Sequence, residues 1–170
     1  TRGRIKILRE WLPQVFVDLH EMGSESHYYF APEAVPFNPH LVKEQKDALY
    51  WFGKNNAKYF DKFGFSYFTR EVYDAFYPGY GASWPAYFGS IAMTYENGST
   101  RGLLVRRSDE LEVTFRRTVR RHLTTSIGTC ETAAQYRKQL LANFWKYQVT
   151  AIEEGKSEPV REYVLPRRGN

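Results

Sequence analysis

Two short apolar runs, each ending in polar residues, predict two buried strands. Val15 to Val17 is the first run, and Asp18 and His20 follow it; the second run, residues 87–95, is followed by Glu96. Runs of β-branched and aromatic residues of this kind fill strands that are buried on both faces. In an open α/β sheet, reactive groups collect at the carboxyl ends of the strands. We therefore expect neighbouring strands to bring His20 and Glu96 into one cleft.

The rest of the pattern predicts helices separated by extended segments. The predicted elements are the end of a helix over residues 1–9, an extended segment over 28–37, a helix from Asn38-Pro39 to Gly64, a short strand over 65–69, and helices over 109–127 and 131–154. The first of the last two helices is expected to bury an apolar stripe and to end at Gly128. The stripe consists of Leu111, Phe115, Val119, Leu123 and Ile127. A similar stripe on the following helix consists of Leu141, Trp145, Val149 and Ile152.

This mixture of elements predicts an α/β fold. Residues 1–155 are expected to form one domain or a part of one, and residues 156–170 a linker towards a further domain. A chain of 170 residues with 42% hydrophobic content can bury one core but not two. Of the 29 aromatic residues, 16 lie between Tyr50 and Phe88, so this segment is expected to form much of the core and of the cleft wall.

Composition excludes some classes of protein. The single cysteine, Cys130, rules out an internal disulfide. No apolar run approaches the roughly 18 residues of a membrane span, and the chain does not start with a signal peptide. The net charge is +5, with several arginines between residues 101 and 121. Because no nucleic-acid-binding motif accompanies them, a solvated basic face is favoured over a phosphate-binding surface.

His20 and Glu96 are the residue types that metal-assisted hydrolysis requires. An imidazole can hold a metal ion, and a carboxylate can take a proton from the attacking water. Asp18 shares a strand face with His20, so it either orients the metal site or binds backbone at the strand edge. Arg101 is either an anion clamp near the substrate or a surface arginine of a loop.

Three stretches resemble the C-terminal half of the catalytic domain of zinc carboxypeptidases of the carboxypeptidase A type. They are DLHEMG over residues 18–23, FYPGYGASWP over 76–85 and AMTYENGSTRG over 92–102. The resemblance covers about residues 11 to 128 and implies a mixed, mostly parallel sheet flanked by helices. It implies that His20 is a zinc ligand and Glu96 the general base. Tyr77, with Tyr80 as the other candidate, matches the mobile tyrosine that closes over the substrate, although a core tyrosine at a loop mouth would look the same in sequence.

One part of the family pattern is absent. The family takes its first two zinc ligands from a His-x-x-Glu motif upstream, and no histidine of this chain begins such a motif. Catalytic zinc requires three protein ligands and a water molecule. The chain is therefore expected to be a C-terminal fragment that neither holds zinc tightly nor hydrolyses peptides by itself. His27, His40 and His122 are expected to be structural.

The resemblance implies zinc-dependent hydrolysis of peptides, of the carboxypeptidase type, in the intact protein. A deacylase acting on small amino-acid conjugates is an alternative within the same fold, and a non-catalytic binding domain is an alternative of a different class. The expected partner is a peptide or amino-acid conjugate, with no nucleic acid and no membrane span. The resemblance favours a periplasmic or secreted location, whereas the residues themselves leave location and oligomeric state open.

Overall fold

The chain forms a mixed α/β structure in which helices flank a mostly parallel sheet. The computed structural model describes residues 2–160 and 162–166. The helices are α1 (Arg2–Trp11), α2 (Lys43–Phe63), α3 (Phe115–Gln135) and α4 (Arg137–Ser157). The strands are β1 (Val15–Met22), β2 (Tyr28–Tyr29), β3 (Tyr67–Phe68), β4 (Ile91–Gly98), β5 (Leu104–Arg106) and β6 (Glu112–Thr114), and a 3₁₀ turn covers Trp84–Phe88. None of the described helices combines the length and the apolar character that spanning a membrane requires.

The main sheet has the strand order β1-β4-β2-β3. β1 runs parallel to β4, β2 runs parallel to β3, and β2 pairs with β4 in the antiparallel sense. The two apolar runs thus supply adjacent strands, as predicted. The bounds of the second run are wrong, because residues 87–88 belong to the 3₁₀ turn, and β4 begins at Ile91 and continues through Glu96 to Gly98. β5 and β6 form a separate antiparallel ribbon.

β1 differs from its prediction in two respects. It lies at the edge of the described sheet, and residues 15–18 are only half-buried, so it is not covered on both faces. It also continues through His20 to Met22, because all eight of its residues pair in register with β4, from Val15 opposite Ile91 to Met22 opposite Gly98. His20 therefore lies within the strand and not beyond its end.

α2 packs against the sheet in the main apolar core of the described residues. Phe60 is fully buried, and its ring lies 4.8 Å from that of Tyr28 and 5.3 Å from that of Phe30. Gly53 allows α2 to lie close to residues 31 and 32. A Cβ added there would collide with the backbone oxygen of residue 31 and would lie 2.9 Å from Cδ of Pro32. The helix ends at Gly64, which has φ of +64°, as predicted.

The predicted start of α2 at residues 38–39 is wrong, because the helix begins at Lys43. Asn38 is occupied in a loop: its Oδ1 accepts from the His40 N–H, and its Nδ2 donates to the carbonyl of Phe76. At the true start, Oε1 of Gln45 accepts from the Val42 N–H at 3.1 Å. An Asn-Pro pair is compatible with a turn as well as with a helix start.

The bounds predicted for the last two helices are also wrong. Residues 112–114 form β6, and α3 begins at Phe115, where Thr114 Oγ1 accepts from the Arg117 N–H at 3.2 Å. α3 continues through Gly128 to Gln135. Gly128 does not end the helix but lies where α3 meets α2, since an added Cβ would lie 2.7 Å from Oδ1 of Asn56.

The face of α3 that was expected to be buried is exposed. Phe115, Val119, Leu123 and Ile127 are between 48% and 57% exposed, and on α4 Leu141, Trp145 and Ile152 are exposed as well. The buried face of α3 carries Thr118, Arg121, Thr124, Thr125, Gly128 and Thr132. The expectation of a wholly solvated basic face is therefore wrong for Arg121, which is 1% exposed, and for Arg107 on the preceding loop, which is also buried.

The predicted linker over residues 156–170 begins inside α4, which extends to Ser157. Residues 158–160 and 162–166 form no helix or strand. Residues 161 and 167–170, and residue 1 of the predicted first helix, lie outside the described residues.

Candidate active site

A cavity of about 360 Å³ lies on one face of the sheet, between β1, β4 and the loop that precedes the 3₁₀ turn. Four of the six side chains predicted for the site line this cavity: Asp18, His20, Tyr80 and Glu96. Tyr29 and Glu33, which were not predicted, line it as well. A volume of this size accommodates a small ligand or one side chain of a larger one.

Strand register places three functional side chains in one row. His20 on β1 is opposite Glu96 on β4, and Glu96 is opposite Tyr29 on β2. Residues that pair directly across strands point to the same face of a sheet. The row therefore crosses three adjacent strands and faces the cavity.

His20 and Glu96 are in contact. Nδ1 of His20 lies 3.4 Å from Oε1 of Glu96, with the imidazole largely exposed and the carboxylate almost buried. The predicted convergence of these two side chains in one cleft is confirmed. Burial raises the pKa of Glu96, while the neighbouring His20 opposes part of that increase and the charge of Asp18 adds to it.

Asp18 makes an ion pair that the sequence did not reveal. Its Oδ2 accepts from Nη2 of Arg4 on α1 at 3.0 Å, and the same guanidinium lies 3.4 Å from the carbonyl oxygen of Gly81. Asp18 shares the cavity face with His20, as expected for residues two positions apart on a strand. Its described partner is a side chain, so the structure gives no support to the alternative of a bond to strand-edge backbone.

The two candidate tyrosines are positioned differently. Tyr80 lines the cavity, whereas Tyr77 does not and is 60% exposed. Their rings meet edge to face, with centroids 5.3 Å apart, so Tyr77 contacts the tyrosine of the cavity wall from outside. The structure thus brings the second candidate, and not the preferred one, to the site.

Arg101 lies apart from the cavity. It is exposed on the loop after β4, with φ of +45°, and its N–H donates to Oγ of Ser99 at 3.1 Å. The side chain is not among the residues that line the cavity. The structure therefore gives no support to a role of Arg101 as a clamp for substrate, and it agrees with the alternative of a surface arginine.

Glu33 is an acid of this cavity that sequence reasoning missed. It is 4% exposed, and burial raises its pKa to about 7. Two hydrogen bonds hold its segment against the cavity loop, from the Ala34 N–H to the carbonyl of Tyr73 and from the Arg70 N–H to the carbonyl of Pro32. The sequence did contain a signal for Glu33. This acid comes shortly after the apolar run of residues 28–31, and the pattern of an apolar run followed by a polar residue is the one that identified His20 and Glu96.

His122 supports the backbone of His20. Its Nε2 lies 3.1 Å from the carbonyl oxygen of His20, and its Nδ1 lies 2.8 Å from the hydroxyl of Tyr28. Since a carbonyl can only accept, Nε2 donates its proton and Nδ1 accepts from the tyrosine. Burial lowers the pKa of His122, which favours this neutral form. The structural role predicted for His122 agrees with these contacts.

Among the described residues, His20 is the one that brings an imidazole to this cavity wall. In the part of the chain that the structure describes, no group of three or more His, Cys, Asp or Glu side chains is arranged to hold a metal ion. A zinc site at His20 would therefore need further donors.

Comparisons of the chain with protein-family models, with curated proteins and with solved structures found no match. The assignment of a function to this cavity thus depends on its geometry and on the sequence motifs.

Proposed function

We propose that this chain contributes one zinc ligand, His20, and the general base, Glu96, to the active site of a zinc-dependent peptidase of the carboxypeptidase type. The observation that carries the proposal is the contact between these side chains, 3.4 Å apart in the wall of a cavity. Hydrolysis with a metal requires a metal-holding group and a proton acceptor within reach of the same water molecule.

The residues present fit a zinc ion in part. His20 presents a largely exposed imidazole, and Oε2 of Glu96 is buried without a hydrogen-bond partner among the described residues. A carboxylate oxygen without a partner, close to an imidazole, is free to accept a proton from a water molecule. Since catalytic zinc takes three protein ligands, we propose that the other two come from a part of the protein outside this chain.

Zinc, when bound, would polarise the scissile carbonyl and increase the acidity of the attacking water. Glu96 would accept the proton of that water at its carboxylate and pass it to the nitrogen of the leaving amine. Burial raises the pKa of Glu96 in the direction of neutral pH. A carboxyl whose pKa is nearer the working pH both accepts and returns a proton more efficiently. Tyr80 would contact the substrate from the loop side of the cavity, and His122 would keep the strand of His20 in position.

The test is a Glu96→Gln substitution in zinc-loaded protein that carries this chain together with its upstream sequence. Glutamine keeps the size of the side chain but accepts no proton, so peptide hydrolysis should fall about 10²- to 10⁴-fold in kcat with zinc content unchanged. His20→Ala should instead lower the zinc content. Glu153→Gln on the exposed surface of α4 is the matched control, and it should change neither quantity.

Two outcomes would refute the assignment. Loss of zinc from Glu96→Gln would make Glu96 a ligand and not the base. Activity within about threefold of wild type would place the base elsewhere, because general-base contributions are much larger than this. The chain alone, dialysed against zinc, is expected not to retain a stoichiometric amount, because one imidazole leaves most of the coordination sphere to water.

A further inference from the structure

The cavity contains a second group of polar atoms that the proposed chemistry does not use. The hydroxyl of Tyr29 and Oε2 of Glu33 are both buried without a hydrogen-bond partner among the described residues. Both side chains line the same cavity as His20 and Glu96. Buried polar atoms are almost always paired with protein groups or with water in folded proteins, so two of them in a single cavity without a protein partner are available to bond a ligand.

The charge of the cavity wall restricts the chemistry of that ligand. Four acids line the wall, namely Asp18, Glu33, Asp74 and Glu96, and none of the described lysine or arginine side chains does. Asp18 is neutralised by Arg4, and Asp74 Oδ1 accepts from the Phe76 N–H at 2.8 Å. Among the described residues no positively charged side chain pairs with Glu33, and the one hydrogen bond that lowers its pKa comes from its own backbone N–H. The cost of burying its charge outweighs this bond and raises the pKa to about 7.

The position of Glu33 is built into the fold. Backbone hydrogen bonds join the residues on either side of Glu33 to the loop of residues 70–74. On the other side, α2 packs closely against Pro32 at Gly53. The carboxylate is therefore held at the cavity wall by backbone contacts on two sides. A group held in this way is preorganised for a ligand, which reduces the entropic cost of binding.

We propose that Glu33, together with the hydroxyl of Tyr29, forms a subsite for a cationic group of the ligand, an ammonium or a guanidinium. Such a group donates several hydrogen bonds, and it would supply both the missing donors and the missing positive charge. Charge-assisted bonds to a buried carboxylate are the strongest that a cavity of this kind can offer. The subsite would select positively charged peptide substrates only if the proposed function is correct. Binding of a small cation to the subsite does not depend on that function.

The test uses three probes and the chain itself, without zinc. Benzamidine and benzylamine carry a positive charge, and benzamide is a neutral molecule of nearly the same shape. Titration calorimetry at about pH 8, where a carboxyl with a pKa of about 7 is ionised, should show benzamidine bound at least about tenfold more tightly than benzamide. Benzamidine carries a planar, two-pronged cation like a guanidinium, and benzylamine carries a compact ammonium. The tighter of the two shows which kind of cation the subsite prefers.

Two variants test the residues. Glu33→Gln keeps the shape of the side chain, removes its charge, and should weaken benzamidine about tenfold or more while leaving benzamide unchanged. Tyr29→Phe should weaken both cations by a smaller factor, because it removes only a hydroxyl. Tyr59→Phe is the matched control, since this hydroxyl donates to Glu131 at the contact of α2 with α3, and it should have no effect.

Equal binding of benzamidine and benzamide to the wild-type chain would overturn the inference, and so would undiminished benzamidine binding by Glu33→Gln. Failure of the proposed function looks different. If zinc-loaded protein hydrolysed no peptide while the preference for benzamidine held, the subsite would stand and the peptidase assignment would fall. If hydrolysis depended on Glu96 while the chain bound benzamidine and benzamide equally, the assignment would stand and the subsite would fall.

Discussion

α2 and α3 are both helices of 21 residues, yet they bury opposite kinds of surface. α2 presents Phe52 and Phe60 to the sheet and places its charged residues in solvent. α3 buries a face rich in threonine and leaves its apolar stripe exposed. Both sequences are amphipathic, so the comparison teaches that amphipathicity identifies two faces of a helix without deciding which one is covered.

Burial of the polar face of α3 costs little stability, because many of its polar groups form hydrogen bonds. The hydroxyl of Thr132 donates to the carbonyl of Gly128 one turn back, and the hydroxyls of Thr125 and Tyr28 lie 2.8 Å apart. The side-chain amide of Asn97 on β4 donates to the carbonyl of Thr118. Buried polar groups that are paired in this way add little cost, whereas unpaired ones are expensive. Arg121 is the exception on this face, because its Nε and Nη2 have no partner among the described residues.

The largest expected effect comes from testing the two faces directly. Phe60→Ala should lower the free energy of unfolding by about 3–5 kcal/mol, because it leaves a cavity in the aromatic core. Leu123→Ala on the exposed stripe of α3 should change it by no more than about 0.5 kcal/mol. Urea unfolding of both variants measures the contrast. Comparable losses would show that the stripe of α3 is covered in solution.

The pH dependence of stability tests the cost of burying Glu33, a group without an ion-pair partner among the described residues. Burial raises the pKa of Glu33 from 4.5 to about 7, so the folded chain binds more protons than the unfolded chain between these values. Stability should therefore fall as the pH rises through this window, by roughly 3 kcal/mol in total, and then level off.

Urea midpoints measured across that window, for wild type and for Glu33→Gln, provide the test. The variant should lose this part of the slope, whereas Glu153→Gln on the surface of α4 should keep it. An unchanged slope in Glu33→Gln would mean that Glu33 titrates as an ordinary exposed acid.

A smaller effect is expected from closing the space between α2 and α3. Gly128→Ala should destabilise by about 1–3 kcal/mol, because the new Cβ would lie 2.7 Å from Oδ1 of Asn56 and 3.3 Å from Cδ2 of Tyr59. The matched change Gly155→Ala in α4 meets no atom of the described residues within 4 Å and should be neutral or stabilising by up to about 1 kcal/mol. Thermal unfolding of the two variants compares them. A neutral Gly128→Ala would show that the helices can separate without loss.

Local chemistry accounts for the parts of the fold and site that the sequence could predict. The apolar runs before His20 and Glu96 predicted two adjacent strands, and the spacing of Asp18 and His20 predicted a shared face. The start of α2 could not be predicted, because the side chain of Asn38 binds the carbonyl of Phe76, which is distant in sequence. Which of Tyr77 and Tyr80 lines the cavity could not be predicted for a similar reason, since the path of a loop depends on what it packs against.

The sequence by itself determined that two strands follow the apolar runs, the class of the fold and the end of α2 at Gly64, because each depends on residues close together in the chain. It also predicted that His20 and Glu96 converge, but their direct pairing depends on the register between β1 and β4. Only the tertiary structure decided which face of α3 is buried, that Arg4 neutralises Asp18, and that Glu33 joins the cavity. These features arise where segments far apart in sequence meet. Their energies depend on burial and on the partners that burial provides, and neither is encoded in a local pattern.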